Sequence, residues 1–170
     1  MPTAAVLTIS DSRSKGAARD LSGPEAKKLL TEMGIDVTQC KVIPDDAATI
    51  RMNVRTLINQ VSLVITSGGT GIADRDVTPE AVTPLLDREL PGFGEIVRTG
   101  SYGKTPLSII SRGGAGISGH TLVITLPGSP NAVRDGLTLL GPAIKHVLKF
   151  LSSQPVDCET DSAENSPSQD

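Results

Sequence analysis

A chain of 170 residues with 38% apolar content is long enough for one domain with a sizeable core. Its three aromatics, Phe93, Tyr102 and Phe150, give no ring platform for stacking nucleic-acid bases, no apolar run approaches the roughly 20 residues of a membrane span, and the N-terminus carries no secretory signal. Neither nucleic acid nor membrane is therefore expected as a partner, and the formal charge of −3 belongs to a chain expected in the cytoplasm.

In chain order, Ala4 to Ile9 is an apolar, β-rich run that predicts a first parallel strand. Ser10-Asp11-Ser12-Arg13 stands where that strand ends, and a polar loop from Ser14 to Asp20 follows. Ser22 and Glu25 have capping-box spacing, Ala26, Leu29, Leu30 and Met33 repeat at helical intervals, and Gly34 stops the helix. Val37 to Ile43 reads as the second strand. Pro44-Asp45-Asp46 then opens a second helix with Ile50, Val54, Leu57, Ile58 and Val61 on one face. Leu63-Val64-Ile65 is a third strand, and Thr78 with Pro79 predicts another helix start, Thr78 as N-cap. This β-α-β-α-β order implies a parallel sheet covered on both sides.

Pro91-Gly92-Phe93-Gly94-Glu95 reads as a turn into a further helix. Gly113 to Ser118 and Thr121 to Leu126, flanking Gly119-His120, read as an antiparallel hairpin. Pro127-Gly128-Ser129-Pro130 closes the last strand; a short helix follows, and Gly141-Pro142 starts another. Gly114, Gly116 and Gly119 satisfy G-x-G-x-x-G by the letter. A dinucleotide fingerprint must open a helix, whereas here a strand follows, so that reading is set aside.

The densest chemistry lies between Leu63 and Val82. Gly68, Gly69 and Gly71 permit a tight turn that brings bare N–H groups near a ligand. Thr66, Ser67 and Thr70 add hydroxyls, and Asp74 and Asp76 flank Arg75. Glycines, hydroxyls and carboxylates in one loop suit a phosphorylated ligand with a hard cation such as Mg²⁺, and no Gly-Lys-Ser/Thr makes it a Walker A loop. In an open α/β sheet the ligand crevice lies at the carboxyl ends of the strands, where Ser10–Arg13, Thr66–Asp76, Pro127–Pro130 and Asp45-Asp46 all fall. Such a constellation suits phosphoryl or nucleotidyl transfer. Asp46 is most simply a helix cap, which leaves Asp45 for function. Asp76 either serves the site or favours the dipole of the helix near Pro79. Arg13, Arg75 and Arg112 are candidates to hold phosphate. His120, His146, Cys40 and Cys158 form no catalytic or metal-ligand pattern.

TSGGTGIADRDVTPEA resembles the signature of the molybdopterin-binding family, which includes the Mog and MoaB proteins and the G domain of gephyrin. The resemblance extends to Thr8-Ile9-Ser10-Asp11-Ser12, Ile43-Pro44-Asp45-Asp46, Pro91-Gly92-Phe93-Gly94-Glu95, Ser111-Arg112 and Leu126-Pro127-Gly128-Ser129-Pro130, from about Ala4 to Leu151. The sequence departs at Ser67, where many relatives have Thr, and at Ser118-Gly119-His120, where a basic residue is common. The resemblance implies a three-layer α/β/α sandwich with a mostly parallel sheet and one antiparallel hairpin, assembled as a homotrimer. It implies Mg²⁺-dependent transfer of AMP from ATP to molybdopterin, with Asp45 and Asp76 as the catalytic, metal-holding pair. Ser10, Asp11, Ser12, Ser67, Gly68, Gly69, Thr70, Gly71, Glu95, Pro127, Gly128, Ser129 and Pro130 would contact substrate. With no molybdenum-insertion domain following, a separate protein would perform that step. A non-catalytic molybdopterin binder and a scaffold protein are the alternatives; a binder needs no metal-holding carboxylates.

Residues 1–151 hold 16 bases against 14 acids, whereas 152–170 hold five acids and no base. That acidic stretch has too little apolar material to offset ordering entropy of about 1–2 kcal/mol per residue, and it reads as a disordered tail to the domain 1–151. Truncation after Leu151 is therefore expected to leave the thermal midpoint within about 2 °C, where about 1 kcal/mol would move it by roughly 2–4 °C. A much larger drop in a thermal melt would mean that the tail docks on the core.

Overall fold

Successive side chains of a strand face opposite sides of its sheet, and in the central strands here both sets are apolar. In β1 (Thr3–Ile9), Ala4 and Val6 enter one core with Leu63 and Ile65 of β3 (Leu63–Ser67), while Ala5, Leu7 and Ile9 enter a second core with Val64. Such strands require cover on both faces. The computed structural model, which describes residues 1–152, supplies it. The first face is covered by α2 (Ser22–Glu32), α5 (Pro91–Tyr102) and α6 (Pro130–Leu151), through residues such as Leu30, Val97, Leu137 and Ile144. The second is covered by α3 (Ala47–Leu57) and α4 (Thr78–Val82), through Ile50, Val54 and Ala81.

The strand order is β2-β1-β3-β6-β5-β4. β2 (Asp36–Ile43), β1, β3 and β6 (Thr121–Leu126) are parallel, whereas β5 (Ala115–Ser118) runs antiparallel to β6 and to the two-residue β4 (Arg88–Glu89). The expected sandwich with its hairpin is thus present, turning at Gly119, whose φ is +56°. Register fixes the site: Ile9 lies beside Ile43, Thr8 beside Ser67, and Ser67 beside Leu126. Four parallel strands therefore end level with one another, and the chain leaves them at Ser10, Pro44, Gly68 and Pro127 along one edge.

Several local expectations are corrected. Asp11–Ser14 is a short helix, α1, capped by the Ser10 hydroxyl, where a loop was expected from Ser14. Ser22 does not cap α2. Its buried hydroxyl donates to the Gly128 carbonyl at 2.7 Å, and the Asp20 carboxylate accepts from the Ser22 and Gly23 N–H groups instead. Thr78 likewise lies inside α4, its hydroxyl donating to the Gly68 carbonyl at 2.8 Å. Pro91 starts α5, so the Pro91–Glu95 segment is helix rather than turn. The two helices expected after Ser129 are one, with Pro142 inside it. Pro142 is exposed, so the carbonyl deprived of its N–H partner can be met by water, and Ile144 and Leu148 keep the helix on the core. Gly114, Gly116 and Gly119 sit in and around the β5 hairpin, away from any helix start.

Ser152 still bonds to α6, its N–H reaching the Leu148 carbonyl. The expectation of a disordered tail otherwise falls on 153–170, outside the described residues. Among the described residues no helix is long and apolar enough to cross a membrane.

Ile65 is fully buried between the sheet and the first helix layer. Ile65→Ala is expected to cost about 2–5 kcal/mol of stability, read from the urea midpoint at unchanged slope.

Candidate active site at the strand ends

At the level edge of the sheet three backbones approach closely, and Gly68 makes this possible. Its φ is +116°, a Cβ there would strike the Ile9 carbonyl, and a Cβ on Gly128 would lie 3.1 Å from its Cα. The loops after β1, β3 and β6 thus meet with no side chain between them. Gly69 follows at φ +65°, its carbonyl accepting from the Thr78 N–H at 3.1 Å. The glycine loop is stapled to α4 by that bond and by the Thr78 hydroxyl.

Asp11 and Asp45, 34 residues apart, exchange hydrogen bonds. The Asp11 N–H donates to Asp45 Oδ2 at 2.9 Å, and the Asp45 N–H donates to Asp11 Oδ1 at 3.0 Å. This reciprocal pair fixes the loops after β1 and β2 against each other. Asp45 Oδ1 is turned to the glycine loop, 3.2 Å from where a Cβ on Gly69 would stand. Asp76 approaches from the other side: its Oδ2 accepts from the Ala73 N–H at 3.0 Å and lies 2.6 Å from the Cβ position of Gly71. Asp46 points elsewhere, capping α3 through the Thr49 N–H and hydroxyl.

These groups wall a crevice of about 390 Å³, formed by Ser10–Arg13, Asp45, Gly68–Gly71, Arg75, Asp76, Gly128 and Ser129. A second cavity of about 320 Å³ adjoins it, sharing Thr70, Gly71 and Ser129 and adding Pro127, Ser108, Ser111, Asn131 and Asp135. Ser129 also caps α6 by accepting from the Ala132 N–H, so the positive end of a 22-residue dipole opens beside both cavities. The sequence reading did not single out Ser111, Asn131 or Asp135 as site residues. Ser111 stood in a recognised segment, and Asn131 one residue beyond the Pro127–Pro130 turn was the available signal. Ser67 is fully buried behind the crevice, donating to the Pro127 carbonyl at 3.1 Å. Glu95 is exposed on α5 and Pro130 begins α6; neither walls these two cavities. A larger cavity of about 660 Å³ opens at the opposite edge of the sheet, between the N-terminal residues and the end of α6. Among the described residues that line it there is no carboxylate and no glycine loop, the groups that give the crevice its chemistry.

Burial pushes the Asp45 carboxyl above its ordinary range. The Asp11 N–H opposes this, the Asp11 charge adds to it, and Arg75 and Asp76 act more weakly in opposite senses. Among the described residues no group of three or more His, Cys, Asp or Glu side chains can hold a metal. The carboxylates of Asp45 and Asp76 do face the crevice, hard oxygen groups of the kind that Mg²⁺ takes one or two at a time, completing its shell from waters and substrate phosphates.

A family model described as "Probable molybdopterin binding domain" matches residues 5–146. A molybdopterin adenylyltransferase of Helicobacter pylori J99 is 37% identical over 150 residues, covering 86% of this chain and 85% of that protein. Gephyrin of Dictyostelium discoideum is 42% identical over 161 residues, covering 88% of this chain but only 22% of that relative, a minor part of its length. The solved structure of the molybdopterin biosynthesis enzyme MoaB from Thermus thermophilus superposes with a TM-score of 0.85 at 36% identity, covering 92% of this chain and 100% of that one.

A carboxyl whose folded pKa lies above its unfolded value favours the fold below the unfolded pKa and loses that contribution as pH rises through the folded one. Asp45→Asn is therefore expected to melt at or above the wild-type midpoint at pH 7, the difference vanishing below about 3.9, the ordinary Asp pKa. A lower midpoint for the variant at pH 7, by calorimetry, would contradict a buried charge held at a cost.

Proposed function

This chain belongs to the molybdopterin-binding domain family, and from that premise we propose that it is a molybdopterin adenylyltransferase of molybdenum cofactor biosynthesis. The observation that carries the reading is the meeting of Asp45, Asp76 and the glycine loop in one crevice at the level strand ends.

A phosphate oxygen of molybdopterin attacks the α-phosphorus of ATP; one P–O bond forms, the bond to the β-phosphate breaks, and pyrophosphate leaves. Such a transfer needs mainly positioning and charge neutralisation. The N–H groups of Gly69, Thr70 and Gly71, the hydroxyls of Ser10 and Ser12 and the start of α6 supply donors for phosphate oxygens, while the Gly68 N–H is taken by the Leu126 carbonyl. Arg13 and Arg75 bring positive charge to the same walls. The adjoining cavity, with Ser111, Asn131 and Asp135, offers polar partners for the edges of a pterin ring. Asp45 and Asp76 would hold Mg²⁺, which when bound neutralises charge on the departing pyrophosphate.

The same reading includes a homotrimer, supported by the exposed apolar side chains of Leu107, Ile109 and Ile110. It also includes a cytoplasmic location and a separate molybdenum-insertion protein as the next partner.

With molybdopterin, Mg²⁺ and ATP, the purified protein is expected to yield adenylated molybdopterin and pyrophosphate above a no-enzyme control. Asp45→Asn and Asp76→Asn keep shape and remove charge. Loss of about 3–4 kcal/mol of transition-state stabilisation would slow turnover on the order of 10²–10³-fold, with pterin binding nearly unchanged. Asp46→Asn still caps α3 and is expected to retain activity. Near-full turnover of Asp76→Asn in saturating Mg²⁺ would refute the assignment. Pterin binding without product in the wild type would instead favour a non-catalytic binder.

A further inference from the structure

Arg112 was a candidate to hold phosphate, yet it does not wall the crevice. It borders a different cavity of about 410 Å³, beside Pro79 and Val82 on the far side of the glycine loop. Its guanidinium is committed to the protein. Nε donates to the Gly71 carbonyl at 2.9 Å, Nη2 donates to the Asp76 carbonyl at 2.6 Å, and Nη1 pairs with Glu80 in the first turn of α4. Its own N–H donates to the Thr70 carbonyl at 2.8 Å, and the hydroxyls of Ser111 and Thr70 lie 3.2 Å apart. The segment is anchored from behind by Arg98, whose Nη1 donates to the Ser111 and Gly113 carbonyls at 3.2 and 2.8 Å.

We infer that Arg112 is a positioning residue, a strap that fixes Gly71 and Asp76 by their carbonyls and so sets the Asp76 carboxylate against the crevice. The loop from Gly71 to Val77 has little else to hold it. Ile72, Ala73, Asp74 and Arg75 are exposed, and the two bonds between Ala73 and Asp76 lie within the loop itself. Only a planar fork of donors reaches two carbonyls and a carboxylate together, and a lysine ammonium at the end of a flexible stem does not reproduce that geometry. The inference rests on the adenylyl-transfer reading for its effect on turnover, but the loop's rigidity is measurable without it.

The test compares the full-length chain with Arg112→Gln and Arg112→Lys. In the free protein, amide exchange across residues 71–77 is expected to rise in both variants while the β1 and β3 amides stay protected. In the transfer assay kcat is expected to fall about 10- to 100-fold in both, the scale of a misplaced catalytic group. KM for ATP and for molybdopterin is expected to change little. Recovery of turnover in Arg112→Lys would overturn the strap in favour of bare positive charge, and a raised KM at normal kcat would overturn it in favour of direct phosphate binding. Unchanged exchange over 71–77 would overturn it outright. If Arg112→Gln fails to fold, Arg112→Lys carries the same readouts. A wild type that makes no product would refute the enzyme reading alone, because the exchange comparison still decides the strap.

Discussion

Everything at the candidate site depends on how closely the backbones approach at Gly68. Parallel strands that end level bring several loops to one line, but side chains would normally hold those loops apart. Here the Ile9 carbonyl occupies the space of a Gly68 side chain, and Gly128 packs against its Cα. The result is a floor made of main chain. A floor of that kind presents N–H groups at fixed positions and spends no side-chain entropy on ordering them.

On that floor the Asp45 carboxylate is held at an electrostatic cost. Asp45 shares its surroundings with Asp11 and Asp76, and its charge is disfavoured by burial before any cation arrives. A site that raises a carboxylate's energy in this way is poised to gain from a divalent ion or a bound cationic group. The reciprocal bonds between Asp11 and Asp45 keep the carboxylate in place despite that cost, because each acid accepts the other's backbone N–H.

The fold also uses arginine in an unexpected way. Arg98 and Arg112 both direct guanidinium donors at main-chain carbonyls of loops, the first at Ser111 and Gly113 and the second at Gly71 and Asp76. Loops without regular hydrogen bonding leave carbonyls to be satisfied, and a cation satisfies them while lending rigidity. The segment Ser111–Gly113 thereby joins α5 to the glycine loop, and the site's geometry rests on residues from distant parts of the chain.

The sequence by itself determined the class of fold. Two-sided apolar strands at Ala4–Ile9 and Leu63–Ile65, helix periodicity between them and glycine punctuation leave few architectures open, since both faces must be buried. It also determined the chemical character of the Leu63–Val82 loop and the cap at Asp46, because those follow from residue type at short spacing. Local pattern failed wherever a hydroxyl had a distant partner. Ser22 and Thr78 have the spacing of helix caps, yet their hydroxyls reach Gly128 and Gly68, contacts that exist only once the strand ends are level. Pro142 reads as a break, but core packing on both sides of it carries α6 through. Arg112 was unreadable for the same reason. Its partners lie 32 to 41 residues away, and whether a guanidinium meets phosphate or backbone is decided by which side of a loop it stands on.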